Sequence, residues 1–325
     1  MIDATALHAV IQHVLPSIVA HEAEPSSPFV LGLSGLQGSG KSTWASALTD
    51  TLNTQYGINT RTLSLDDLYH DHDQLVALRD SNPGNDLLRT RGQPGTHDED
   101  LARRFFDDVS ATATATSESL GAAGSAEPII KWPAFDKSLY GGEGGRVPVE
   151  QWEAVPRIPP LKVIIFEGWC VGFQPLSDDA VEAKWSRAKE GSTTGSNPSH
   201  PQLSTTTLAD HSLDHLLLIN RNLRRYCEAF MGPWRFDAFL HLSTDRLVNV
   251  YHWRLDQERA LREKKGAGMT DAEVVRFVQG YMPAYELYLE RLTQEPFFPP
   301  RDAPRKPHVR LILDSNRTVL RVEKA

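Results

Sequence analysis

Residues Phe29 to Trp44 read FVLGLSGLQGSGKSTW. An apolar run, Phe29-Val30-Leu31, leads into Gly35-Leu36-Gln37-Gly38-Ser39-Gly40-Lys41-Ser42-Thr43, and a helix-forming segment, Ala45-Ser46-Ala47-Leu48, follows. This is G-x-x-x-x-G-K-[ST] in strand, loop, helix order, the pattern of a phosphate-binding loop. The spacing has a chemical reason. Glycines let successive backbone N–H groups turn inward and approach a polyphosphate closely. The helix behind the loop offers its positive end to the same anion. Lys41 can reach the β- and γ-phosphates of a nucleotide, and the Ser42 hydroxyl can ligate Mg²⁺.

Working outward, the chain has 325 residues, a net charge of -8 and an apolar content of 40%. That size suits one large domain, and the modest apolar fraction suggests polar insertions on an ordinary core. The acidic balance argues against nucleic acid as a partner, because a backbone binder presents a basic face. No apolar run approaches membrane-spanning length. Cys170 and Cys227 are far apart, form no metal spacing and suit a reducing compartment. The first residues, MIDATALHAVIQHVL, do not read as a signal or transit peptide, so the cytoplasm is the expected compartment.

Apolar positions Ile2, Leu7, Val10, Ile11, Val14 and Leu15 predict an amphipathic helix over residues 1–20. After the loop, a helix runs from Lys41 to about Tyr56, with Gly57 as its stop. Thr60–Leu65 reads as a strand ending in Asp66-Asp67-Leu68-Tyr69. Asn82–Thr96 is dense in Pro, Gly and charge and reads as a loop system. Thr96 with Glu99 reads as a capping box for the next helix. Two polar, low-complexity insertions are expected, at about 110–128 and 178–207. Ile129–Pro133 suits a short strand before a Gly/Pro-rich excursion over 134–157. Leu161–Phe166 is a continuous apolar strand, as in a parallel sheet covered on both faces, and ends in Glu167-Gly168. Phe236–Leu242 and Val309–Leu313 are further strands. Between them lie a charged helix over Asp245–Lys265, within a lid expected over about 245–268, and a helix capped by Thr270 and Glu273. Strands alternating with helices predict an α/β, doubly wound parallel sheet with helices on both faces. Ligands of such sheets bind at the carboxyl ends of the strands.

Four strands end there in polar clusters: the glycine loop, Asp66-Asp67, Glu167 and Asp314-Ser315-Asn316-Arg317. A carboxylate beside a phosphate loop can accept the proton of an attacking hydroxyl, and another can hold Mg²⁺ or its water shell. Ser42, Asp66 and Glu167 are therefore the candidate metal ligands. Arg89, Arg91, Thr96, His97 and Asp98 punctuate the Pro/Gly loop, where an Arg suits an anion and Asp98 suits a substrate hydroxyl, the alternative for Asp98 being the next helix's N-terminus. Asp136-Lys137-Ser138 and Arg146 lie in a glycine-rich loop fit to wrap a small polar ligand. Arg254, Glu258 and Arg262 share one face of the charged helix, as a salt-bridge ladder does or as a phosphate-covering lid would, Arg254 being the favoured lid residue. His70-Asp71-His72-Asp73 has no metal spacing and reads as an exposed turn.

These residues resemble the phosphate-loop kinases of the uridine kinase, phosphoribulokinase and pantothenate kinase group. That group shares a GxxGSGKST loop, an acidic S-x-D-[DSG]-F-Y-like strand end and an FEG-like strand, here GLQGSGKST, SLDDLY and FEG. Within it the chain is most similar to the D-glycerate 3-kinase family of plants and its fungal relatives. SLDDLYHDHDQLVAL, NPGNDLLRTRGQPGTHD, PAFDKSLYGGEGGR, VIIFEGWCVGF, GMTDAEVVRFVQGYMPAYELY and LDSNRTV carry the likeness over most of 29–320. The resemblance implies an ATP-dependent kinase in which Gly35 to Thr43 hold the phosphates and Mg²⁺. Asp66 is then the base, and Tyr69, Arg91, His97, Asp98, Asp136 and Lys137 line the acceptor pocket. Lys41, Glu167 and Arg254 complete the catalytic set, while Asn316 and Arg317 stand near adenine. Leu68 replaces the usual Phe, a change of packing only. D-glycerate is the expected acceptor. The alternatives are a uridine- or pantothenate-type kinase, and a non-catalytic ATP-binding or regulatory NTPase.

Overall fold

The computed structural model describes residues 2–22, 27–113, 129–192, 203–266, 268–299 and 305–324. The central sheet is built from six strands: β1 (Phe29–Gly35), β2 (Thr60–Ser64), β7 (Val163–Gly168), β8 (Ala238–Ser243), β9 (His308–Leu313) and β10 (Val319–Lys324). Their spatial order is β10-β9-β8-β1-β7-β2. Every neighbouring pair is parallel except β9 and β10. β1 is a central strand, hydrogen-bonded on both edges, and six of its seven residues are buried. Nowhere on it is there room at Gly32: an added Cβ would lie 2.6 Å from the Phe239 ring and 2.8 Å from that of Phe236.

Nine helices lie among the described residues: α1 (Ala4–Glu22), α2 (Lys41–Gln55), α3 (His72–Asp80), α4 (Glu99–Ala113), α5 (Asp178–Ser192), α6 (Leu213–Tyr226), α7 (Asn249–Lys265), α8 (Asp271–Gln279) and α9 (Met282–Gln294). The expected N-terminal helix is α1, buried along Val10, Ile11, Val14 and Ile18. Thr270 and Glu273 form the expected capping box of α8. The sheet and helices make the doubly wound α/β architecture of a phosphate-loop NTPase. Phe166, Phe236, Phe239 and Phe297 pack ring against ring within its core, stacked, tilted and edge-on.

Four differences from the sequence reading have physical causes. The segment from Asp178, expected to be an insertion, opens with α5, which buries Val181 and donates the Trp185 indole N–H to the His211 carbonyl. The helix after the Pro/Gly loop is capped by Asp98 rather than Thr96. Asp98 accepts from Leu101 N–H at 2.9 Å, while the Thr96 hydroxyl accepts from Gly92 N–H and donates to the Gln93 carbonyl. The excursion over 134–157 is a pair of nested antiparallel ribbons. β3 (Ile129–Trp132) pairs with β6 (Glu153–Pro156), and β4 (Phe135–Asp136) with β5 (Gly145–Arg146). Finally, β10 turns back on β9 and was not foreseen. The remaining parts of the two expected insertions, 114–128 and 193–202, lie outside the described residues.

Candidate active site

β1 delivers Gly35 to the phosphate loop, and α2 begins directly behind it at Lys41. Gly38 and Gly40 take positive φ, 76° and 94°, a region open to glycine at little cost. At Gly38 space is also lacking. An added Cβ would lie 2.8 Å from the Trp253 Cβ and 3.2 Å from the Arg254 backbone nitrogen. The loop is thus pressed against α7. Two further groups buttress it. The Tyr285 hydroxyl accepts from Gln37 N–H at 3.2 Å. Arg317 donates Nε to the Gly38 carbonyl and Nη2 to the Trp253 carbonyl, each at 2.7 Å. Arg317, expected near adenine, turns its guanidinium inward to the loop, while Ser315 and Asn316 of the same turn are exposed.

The loop has the shape of an anion cradle. The Ser39 hydroxyl is buried without a protein partner, and Ser42 and Thr43 are exposed on the first turn of α2. Lys41 lies along the loop with Nζ 3.4 Å from the Leu36 carbonyl. Burial lowers its pKa, and the charges of Glu167 and Asp66 oppose that shift. The Ser42 hydroxyl donates to Glu167 Oε1 at 3.2 Å. Parallel register places Glu167 beside Leu33, so the end of β7 meets the start of the loop.

β2 ends next to this group. A tight 3₁₀ turn, Leu65–Leu68, starts with Ser64 accepting from Asp66 N–H at 3.3 Å and presents both acids at the strand end. Burial raises the Asp66 carboxyl, but Lys137, aided by His97 and the Tyr69 hydroxyl, brings the pKa below the usual carboxylate range. The Lys137 ammonium lies 2.5 Å from Asp66 Oδ2. Asp67 behaves oppositely. Burial, aided by the charge of Asp66, pushes it up to about 6.

The remaining expected acceptor residues separate into two groups. Tyr69 and His97 join Asp66 and Lys137: their rings stack at 4.3 Å, and the Tyr69 hydroxyl interacts with Asp66. Burial drives the His97 imidazole down to about 3, so it is neutral. Arg91 borders this pocket, its guanidinium 5.6 Å from the Phe135 ring centre and bonded to the Gly142 and Glu143 carbonyls at 2.7 and 2.5 Å. Asp98, in contrast, is absorbed by the fold. One oxygen caps α4, and the other accepts from Arg146 at 2.9 Å. Asp136 closes a local turn, accepting from the Ser138 N–H and hydroxyl at 2.8 and 2.6 Å.

Arg254 follows Trp253 in α7, with its backbone against Gly38. Its side chain donates to Gln257 and Glu258 at 2.8 and 3.1 Å and lies 5.1 Å from the Phe277 ring centre, while its Nε is buried without a partner. Arg262 is turned away, bonded to Met269 and Asp271. Of the His70–Asp73 stretch, Asp71 caps α3 and His72 stacks on Tyr140. Sequence reasoning missed Tyr226, Tyr281 and Tyr285. All three are buried around the pocket and loop, yet each lies more than 100 residues from what it touches.

No family model matches the chain. The uncharacterized kinase mug58 of Schizosaccharomyces pombe is 34% identical over 315 residues, 96% of this chain and 98% of that protein. The chloroplastic D-glycerate 3-kinase of Arabidopsis thaliana is 35% identical over 268 residues, 82% of this chain, which spans about half (49%) of that longer protein. The D-glycerate 3-kinase from Cryptococcus neoformans var. grubii, a solved structure, superposes with a TM-score of 0.80 at 31% identity, covering 98% of this chain and 99% of that one. With a phosphate loop, strand-end acids at its side and two of these relatives, the fission-yeast kinase and the Cryptococcus enzyme, matched over nearly their whole length, the chain belongs to the D-glycerate 3-kinase family of ATP-dependent phosphotransferases that act on an alcohol group.

Proposed function

We propose that the chain transfers the γ-phosphate of Mg·ATP to a hydroxyl of a small hydroxy acid, D-glycerate, at its 3-position. The observation that carries this is Asp66, held ionised by Lys137 at the end of β2, with only β7 between it and the strand that bears the phosphate loop. A carboxylate so placed orients or deprotonates the attacking hydroxyl. Lys137 and Arg91 give the pocket a cationic side, which suits an anionic acceptor better than a neutral nucleoside. The likeness to relatives named D-glycerate 3-kinase supports the choice of acid.

Ser42 and Glu167 fit a divalent cation. Both are hard oxygen donors, and they are 3.2 Å apart. Among the described residues no three His, Cys, Asp or Glu side chains converge on a closed metal cage. Nucleotide-borne Mg²⁺ keeps waters and phosphate oxygens as its other ligands. When bound, it neutralises charge on the transferring phosphoryl group. Lys41 then reaches the same oxygens from the loop, and Arg254 closes from α7. The buried Ser39 hydroxyl and the loop N–H groups bind the phosphates and exclude water. The cytoplasm is the compartment we propose; no described helix is long and apolar enough to cross a membrane.

The test is ADP release from Mg·ATP with D-glycerate, L-glycerate, uridine, pantothenate or no acceptor, and with Asp66→Asn alongside. Release that needs D-glycerate and is lost in Asp66→Asn supports acceptor and base together. Equal slow release in every tube overturns the assignment.

A further inference from the structure

One ring in the acceptor pocket has protons that can be placed by counting. The Tyr226 hydroxyl, at the last position of α6, accepts from the backbone N–H of Gly95 at 2.7 Å and of His97 at 2.8 Å. A phenol oxygen offers two lone pairs and one proton. Both lone pairs are therefore taken. The proton has two acceptors in reach: His97 Nδ1 at 3.0 Å and the His97 carbonyl at 3.4 Å. The shorter contact takes it, so Nδ1 is bare. The ring is neutral, because burial pushes its pKa to about 3. Its single proton then sits on Nε2.

That Nε2 is buried and has no partner in the protein. The ring lies on Tyr69, and the strongest charge acting on it is that of Asp66. α6 clamps the whole segment. Asn222, one turn before Tyr226, donates to the Pro94 carbonyl at 2.9 Å. Straight after Tyr226 the helix widens into a π-turn, Cys227–Met231, and such turns collect at functional sites.

We propose that Tyr226 is a positioning residue that fixes His97 as the Nε2–H tautomer, and that this N–H donates to an oxygen of the acceptor substrate and holds it against Asp66. A partner on one imidazole nitrogen commonly decides what the other can do. Asp66 and Lys137 take charge-based roles, and His97 supplies a neutral, directional donor that persists at any physiological pH. The donor half rests on the acceptor reading above; the tautomer half does not.

The experiment is long-range ¹H–¹⁵N NMR of the full chain labelled at its histidine rings, with His97 assigned from the signal missing in His97→Gln. The expected result is a proton on Nε2 in the ligand-free protein, an Nε2 signal that shifts when D-glycerate is added, and a mixed or reversed tautomer in Tyr226→Phe. Kinetics give a second readout. A glutamine amide can stand in for Nε2–H, and an asparagine amide stands nearer Nδ1. His97→Gln should keep the acceptor KM within about threefold, and His97→Asn and Tyr226→Phe should raise it by on the order of tenfold or more, the loss of one directed hydrogen bond. The ATP KM should stay unchanged in all three. A proton on Nδ1 of the wild-type ring overturns the proposal, as does an His97→Asn variant that equals His97→Gln. If D-glycerate yields no ADP with the wild-type protein, the acceptor reading fails while the ring-proton measurement still decides the Tyr226 lock.

Discussion

Two neighbouring acids, Asp66 and Asp67, carry opposite electrostatics. Lys137 keeps Asp66 ionised, whereas burial and the Asp66 charge raise Asp67 to about 6. For catalysis the first is decisive. Asp66→Asn keeps the shape and the ion-pair partner but cannot take a proton, so kcat should fall by on the order of 10²–10⁴-fold, with ATP binding retained in a fluorescent-nucleotide titration. Loss of nucleotide binding instead would make Asp66 structural. For stability the second is decisive. Its folded pKa lies above the unfolded value of about 4, so its contribution is complete below that value and is lost as pH rises through about 6. Asp67→Asn removes the buried charge. Relative to wild type it should therefore gain about 1–2 kcal/mol above that range, discounted for partial exposure, and almost nothing below pH ~4. Thermal unfolding of both proteins from pH 4 to 8 checks this; a gap in Tm that does not widen with pH would sink it.

At the scale of elements, the phosphate loop owes its shape to distant supports. Arg317 joins the β9–β10 turn to the loop and to α7 through two nitrogens bonded to two carbonyls. A lysine has one nitrogen and cannot span both. Arg317→Lys and Arg317→Ala should each raise the ATP KM by roughly tenfold and leave the acceptor KM alone in steady-state kinetics; equal effects on both substrates would argue against the buttress. The sequence disclosed the loop but not this support, and the reason is range. The loop, α2 and the strand-end acids are local patterns, legible because glycine spacing, apolar runs and caps act over a few residues. Glu167 was legible for the same reason. Asp98 was ambiguous, since a helix cap and a substrate ligand ask for the same side chain; in space it caps α4 and pairs with Arg146. α5 was hidden because its surface is polar and low in complexity, while its packing depends on Val181 and Trp185. Tyr226 left no local signal at all, 129 residues from the ring it holds.

Across the whole molecule, the acceptor pocket closes over pieces that the sheet brings together from far apart. Asp66 lies in the turn just after β2, the edge strand of the sheet, and Lys137 comes from the β4–β5 ribbon 71 residues later. Arg91 ties that ribbon's loop to the Pro/Gly segment, and Arg146 ties its far strand to Tyr69 and Asp98. The ribbon therefore acts as a wall whose charge reaches the base. The groups that bear on Asp66 are the cations Lys137 and Lys41, the neutral His97, the Tyr69 and Tyr281 hydroxyls, the Cys170 thiol and the acid Asp67. Lys137 is the largest of the lowering influences. Lys137→Met should leave burial and Asp67 in control, and both favour the protonated form. The base must be ionised to act, so the acid limb of kcat/KM for the acceptor should move towards neutral pH by about one unit or more. Lys137 borders the acceptor, so the height of the profile falls as well, and the position of the limb is the informative quantity. A profile measured from pH 4.5 to 8 that drops in height with its limb unmoved would show that the ribbon's lysine only binds substrate. A shifted limb would show that an arm folded over the sheet sets the protonation of a base on another strand.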